Sequence, residues 1–223
     1  SNTYFAPADK DTVYTVKTSL VANFSKSATD FLSTTMLEAP ADTNDYPIVN
    51  KLTVERKDMD YMLELDYDED AANNTNMGGT VASHEMVSPV PAYLSVDRST
   101  PVVTGMFGLK AEKVAVPHPS AEDIANAGLD DPFGMATMAC ADGNTYVLTF
   151  GERFTEKDEE NGTETAYYYA MLNGVDAIYQ VTEENLVWAT TTPTDIASKL
   201  VLGTYVWDVG SLDVSVGEQK FQF

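Results

Sequence analysis

The sequence predicts an α+β fold, mainly antiparallel sheet built from repeated hairpin-strand-helix units, with helices packed on one face. Three observations predict it: a hairpin pattern that recurs three times, apolar alternation of period two after the turns, and well-marked helix starts between the strand runs. The hairpin stretches are VERKDMDYMLEL from Val54, ACADGNTYVLTF from Ala139 and VSVGEQKFQF from Val214. Set in register, their turn residues Lys57-Asp58, Asp142-Gly143 and Gly217-Glu218 coincide, and so do Tyr61, Tyr146 and Phe221 beyond them. Tyr61, Leu63 and Leu65, like Tyr146, Leu148 and Phe150, put one apolar face on each hairpin.

A second internal likeness supports the repeat. DTVYTVKTSLVANFSKSATDFLS from Asp11 lies over DAIYQVTEENLVWATTTPTDIAS from Asp176 without a gap, and six positions are identical: Asp11, Tyr14, Val16, Thr29, Asp30 and Ser33 match Asp176, Tyr179, Val181, Thr194, Asp195 and Ser198. The organisation expected is a first β-rich unit over residues 1–117, carrying the tail of a preceding repeat, and a second over 118–223, carrying the start of a further one, together in one compact globule.

Within the first unit a helix is expected to start near Ser99 or Thr100 with Pro101 at its first position, sending Met106, Phe107 and Leu109 toward the core. Between the units, HPSAEDIANAGLDDP (residues 118–132) reads as a short helix: Ser120 and Asp123 make a capping pair, Gly128 fits a left-handed stop, and Pro132 bars continuation. In the second unit, GTETAYYYAMLNGVDAIYQV gives two strands about the Asn173-Gly174 turn. Thr182 can then cap a turn carrying Glu183 and Glu184, and Thr192, Pro193 and Asp195 form a capping box.

Composition excludes several function classes. With 223 residues, 43% of them hydrophobic and 22% charged, the chain has the apolar content for a packed core. Thirteen Lys and Arg against 35 Asp and Glu give a net charge of −22, a field that repels phosphates, so nucleic acid and bare anionic membrane are excluded as partners. The single cysteine, Cys140, rules out an internal disulfide framework and lies in an alternating apolar run, where it packs as a small side chain. No apolar run is long enough to cross a membrane as a helix. The chain opens on SNTYFAPADKD without Met, so membrane attachment is expected only through an upstream anchor or secretion signal. Sequons fall at Asn23, Asn73 and Asn161.

AGLDDPFGMATMACADGNTYVLTFGERF, followed after a polar loop by AYYYAMLNGVDAIYQV, resembles the bacterial family called domain of unknown function 4340. The matching positions are the Gly128-Leu129 and Pro132 step, Gly151 closing the hairpin, the tyrosine-rich strand Tyr167 to Tyr169, and Ile178 to Val181. The best match covers residues 85–200. The resemblance implies a secreted or lipid-anchored protein on the outer side of the bacterial membrane, accessory to ABC-type transporter systems, and it transfers no catalytic residue. The chain departs from the family in its acidic first loop and in having Tyr93 where many relatives place tryptophan.

Candidate sites are few. Asp66, Asp68 and Asp70 occupy the first, third and fifth positions of an EF-hand-like loop and are the metal candidates, weak surface calcium being the one cofactor such a loop could take. Ala71 stands where that loop needs glycine and Met77 where it needs a bidentate glutamate, which favours a solvated acidic loop. NMGGT (residues 76–80) lacks the lysine and helix start of a phosphate loop. His84 and His118 lack metal-ligand spacing to another His or Cys. Tyr167, Tyr168 and Tyr169 alternate across a strand, cannot all face the core, and are the ligand-binding candidates for a protein or glycan partner at the cell surface. The leading expectation is therefore a non-enzymatic extracytoplasmic binding or scaffolding module with no catalytic residue. A hydrolase using two carboxylates or calcium, and a purely structural spacer, are the rivals.

Overall fold

The computed structural model describes residues 2–6, 8, 11–22, 24, 26–70, 82–159, 161–199 and 209–222. Its strands in chain order are β1 (Asn2–Phe5), β2 (Tyr14–Lys17), β3 (Val49–Arg56), β4 (Leu63–Tyr67), β5 (His84–Ser88), β6 (Ala92–Tyr93) and β7 (Lys113–Pro117). They continue with β8 (Gly134–Cys140), β9 (Thr145–Phe150), β10 (Phe154–Lys157), β11 (Glu164–Leu172), β12 (Ala177–Thr182), β13 (Asp213–Val216) and β14 (Gln219–Gln222). The helices are α1 (Thr18–Ala22), α2 (Val96–Thr104), α3 (Ala121–Asn126) and α4 (Pro193–Ile196). The fold is α+β, as the sequence predicts.

One ten-stranded sheet in the order β6-β5-β4-β3-β8-β9-β11-β12-β7, with β10 also alongside β11, dominates the molecule. Every pairing in it is antiparallel. The β1/β2 and β13/β14 hairpins form separate two-stranded sheets. Strands from both sides of residue 117 share the large sheet, since β3 borders β8 at its middle and β7 borders β12 at its far edge. Four antiparallel steps separate β7 from β8, so these two run in the same direction and the connection carrying α3 crosses from one to the other.

Period-two patterning decides which side chains are buried. Leu52 and Val54 on β3, Leu63 and Leu65 on β4, Met138 on β8, and Leu148 and Phe150 on β9 all belong to one core cluster. Val102 and Val103 of α2 join it, as do Met106, Phe107, Leu109, Leu186, Trp188 and Ile196. Burying each such aliphatic side chain contributes about 2 kcal/mol. Trp188 is fully buried and its indole N–H donates to the Val102 carbonyl at 2.8 Å, so its polar edge is satisfied inside the core.

The short connections form as the sequence signals require. Gly143 and Gly174 take φ of 89° and 79°, supplying the left-handed residue that the β8/β9 and β11/β12 turns need. The Ser120–Asp123 and Thr192–Asp195 capping boxes are both present, and Gly128 stops the turn after α3 with φ of 67°. Gly134 and Gly151 are needed for space: a Cβ on Gly134 would stand 2.6 Å from the Phe150 ring, and one on Gly151 would stand 2.4 Å from the Ala127 carbonyl oxygen.

Two local expectations are corrected. The helix expected near Ser99 begins at Val96 with Ser95 as its N-cap, so Pro101 sits at its sixth position instead of its first. Tertiary anchoring decides this, because the Ser95 N–H donates to the Ile196 carbonyl at 2.9 Å and Leu94 bridges Ala197, fixing the chain one turn earlier than proline chemistry alone suggests. Tyr61 lies in the turn before β4, outside the strand that carries Leu63 and Leu65, because the chain bends ahead of it and β4 opens only at Leu63.

Candidate functional site

The site is built where β10 and β11 reach past the core. After Phe150 the chain leaves β9, and β10 resumes pairing on the same side of β11, with Phe154 opposite Tyr167 and Lys157 opposite Glu164. The end of β12 and the turn that follows rise as a wall, and a groove of about 760 Å³ lies between wall and ribbon. Arg153, Thr155, Glu164, Thr165, Thr190 and Thr191 are among the residues that line it.

Ionic and hydroxyl groups fix its geometry. Arg153 donates from Nε to Glu183 Oε2 at 2.5 Å, and the Tyr168 hydroxyl donates to the same oxygen at 3.2 Å. The Arg153 guanidinium holds the Glu183 carboxyl below its ordinary range, while Glu183 holds the arginine above its own. Burial, reinforced by Glu183, pushes the Tyr168 phenol up to about 12. Behind the wall, the nearly buried Arg56 side chain donates from Nη1 to the carbonyls of Trp188 at 3.1 Å and Thr191 at 2.8 Å. Its Nε donates to Asp58 at 2.8 Å, and the guanidinium holds the Asp58 carboxyl low. The Thr191 hydroxyl donates back to Val187 at 2.7 Å. The wall is thus held from β3 and does not depend on the groove for its shape.

The three tyrosines divide across β11. Tyr168 is buried, stacked on Phe133 and edge-on to Phe150, and reaches the groove only through Glu183. Tyr167 and Tyr169 lie on the opposite side of the strand, where both pack on Phe154 with ring centroids 5.9 and 4.7 Å away. The structure therefore does not gather them into one triplet.

Nor does it gather the aspartates. Asp66 lies on β4 beside Lys51, whose ammonium is 3.4 Å from Oδ1 and also pairs with Glu64, so a lysine supplies the positive charge there. Asp68 accepts from the Asp70 backbone N–H at 2.9 Å, and Asp70 is exposed. The rest of that loop, with Ala71, Met77 and NMGGT, lies outside the described residues, as do the sequons at Asn23 and Asn73. Among the described residues no three His, Cys, Asp or Glu side chains converge as metal ligands. Asn161 is exposed in the turn before β11, its amide donating to Asp158 at 2.6 Å.

His84 is buried on β5, and its Nε2 meets the Val49 carbonyl at 2.7 Å, which assigns the proton to that nitrogen. Burial lowers its pKa, so the ring is neutral. His118 is exposed and pairs with Asp176 at 2.5 Å. Burial pushes the Cys140 thiol up to about 11, away from reactivity. Sequence reasoning missed Arg153, Glu183 and Arg56. The available signal was scarcity: the chain has three arginines, and Arg56, Arg98 and Arg153 are each committed to a bond that positions the wall or the α4 end. No family model, curated protein or solved structure matches the chain.

Proposed function

We propose that the protein is a non-enzymatic extracytoplasmic binding module that holds an extended polar segment of a surface protein in the groove beside β10. The observation that carries this reading is the groove itself, lined by Thr155, Thr165, Thr190 and Thr191 beside a fixed Arg153–Glu183–Tyr168 set. Hydroxyls and paired charges suit hydrogen bonding to a main chain. A carboxylate held low by arginine and a phenol held near 12 are both far from the neutral range where a general acid or base works, which favours binding over proton transfer.

β10 adds a second support. Among the described residues it pairs with β11 alone, and the Asp158 N–H bonding to Thr163 sets the ladder phase, so the N–H and C=O of Thr155 point away from β11. An added strand could pair there. Placement outside the cytoplasm, beside an ABC-type transporter, rests on the resemblance to domain of unknown function 4340 alone.

The test is peptide display panned on the immobilised chain. Peptides enriched on the wild type should lose at least tenfold in affinity on Arg153→Ala and on Thr155→Pro, the latter removing only an outward N–H and so leaving the β10–β11 ladder intact. No enrichment, or equal binding to both variants, ends the reading.

A further inference from the structure

The sequence contains two Asn-Gly steps, Asn161-Gly162 before β11 and Asn173-Gly174 after it. Their local settings are matched. Gly162 and Gly174 take φ of 75° and 79°, all four residues are exposed, and a Cβ built on either glycine would meet nothing within 4 Å. A glycine after asparagine leaves its backbone nitrogen unshielded, so that nitrogen can attack the side-chain amide carbon of the residue before it. What differs between the two steps is how the asparagine amide is held.

Asn173 is tied to another strand. Its Oδ1 accepts from the Val147 N–H at 2.8 Å, its Nδ2 donates to the Thr145 carbonyl at 3.0 Å, and its backbone N–H donates to the Val147 carbonyl at 3.0 Å. β9 lies inside the large sheet between β8 and β11, so freeing this amide means opening the sheet. Asn161 finds its partners within its own turn. Nδ2 donates to Asp158 at 2.6 Å, Oδ1 accepts from the Thr163 N–H at 2.9 Å, and the Gly162 N–H donates to the Asp158 carbonyl at 2.8 Å. The turn joins β11 to β10, whose one pairing among the described residues is with β11 itself. A local fluctuation of this exposed turn releases the Asn161 amide and leaves the core intact.

We propose that Asn161 is a self-modification site that converts to isoaspartate through Gly162, while the fold protects Asn173. The Gly162 nitrogen gives its proton to hydroxide and attacks Asn161 Cγ, and the new C–N bond closes a five-membered imide. Nδ2 takes a proton from water and leaves as ammonia, which restores the hydroxide. Water then opens the imide: cleavage on the main-chain side routes the chain through the former side-chain carbonyl and gives isoaspartate, and cleavage on the other side gives aspartate. No oxidant, cofactor or second protein enters. Isoaspartate lengthens the main chain of the turn by one carbon, and either product adds a negative charge beside Asp158. Thr155 and Glu164, on the strands that this turn joins, line the groove, so the mark falls at its rim. The reaction needs no occupant there and stands or falls independently of the peptide reading.

The test is to age the folded chain in warm, mildly alkaline buffer, digest it, follow both Asn-Gly peptides by mass spectrometry, and label the product with an isoaspartate-specific methyltransferase. Asn161 should convert roughly tenfold faster than Asn173, or more, and its product should take the methyl label. In guanidinium, where neither turn is held, the two rates should come within about threefold of each other. Gly162→Ala should slow conversion of Asn161 roughly tenfold, because the added methyl shields the attacking nitrogen. Equal rates in the folded chain, faster conversion of Asn173, a tenfold gap that survives unfolding, undiminished conversion in Gly162→Ala, or an Asn161 product without the label would each overturn the proposal.

Discussion

The segments 11–33 and 176–198 share six identical positions without a gap and, in their described residues, a strand followed by helical turns, yet the first is largely exposed and the second forms part of the core. Each has a strand, β2 or β12, then helical turns, and each ends in a capping box: Ser27 with Asp30 in the first, Thr192 with Asp195 in the second. The positions correspond one to one. Burial does not: Ile196 is 1% exposed, whereas Phe31 at the equivalent position is 72% exposed. β12 is flanked by β11 and β7, while among the described residues β2 pairs with β1 alone. Caps and alternation are thus written locally, but the free energy of burial belongs to whichever copy has neighbours on both sides.

Substitutions at matched positions would sharpen this contrast, and the largest effect is expected at Trp188. Trp188→Ala should destabilise by about 3–5 kcal/mol, because it empties a fully buried volume and orphans the Val102 carbonyl. In thermal unfolding that is a drop on the order of 10 °C for a chain of this size. Next comes the pair Ile196→Ala and Phe31→Ala, expected at about 2–4 kcal/mol and under about 0.5 kcal/mol in denaturant unfolding. Equal losses would mean that the first copy is packed as firmly as the second. Tyr168→Phe should cost about 1 kcal/mol in the same assay, since it removes the donor to Glu183 and retains the ring.

The smallest effect should follow pH. Thr192 holds the Asp195 carboxyl below its ordinary value, so the folded state binds this proton more weakly than the unfolded chain does. The resulting stability is present above the ordinary carboxyl pKa of about 4 and is lost as pH falls through the lower, folded value. Unfolding midpoints of wild type and Asp195→Asn, compared from pH 6 to pH 3, should converge toward the acid end. A difference that holds constant over that range would show that Asp195 contributes through its shape and not its charge.

Much of the framework was legible because it rests on short-range chemistry. Asp142-Gly143 and Asn173-Gly174 announce turns that only residues tolerant of positive φ can make, and Ser120 with Asp123 announces a helix start. The start of α2 was misread because Pro101 is a strong local signal and the Ser95–Ile196 bond that overrides it joins residues far apart in the chain. The candidate site was illegible for the same reason. Arg153 and Glu183 meet across 30 residues, and Arg56 reaches Thr191 across 135. Tyrosine alternation correctly separated Tyr168 from Tyr167 and Tyr169, but nothing in a period of two could indicate that Phe154 would stack on one side and Glu183 accept on the other.

The pairing of β3 with β8 bears on how the chain assembles. Leu52 meets Met138 there, so the sheet's midline closes a loop of some 85 residues, while the β3/β4 and β8/β9 hairpins on either side close locally. Until that seam forms, two meanders carry raw edges of complementary register. At high concentration during refolding, the β8 edge of one molecule can meet the β3 edge of another, and a swapped dimer is the by-product this topology invites.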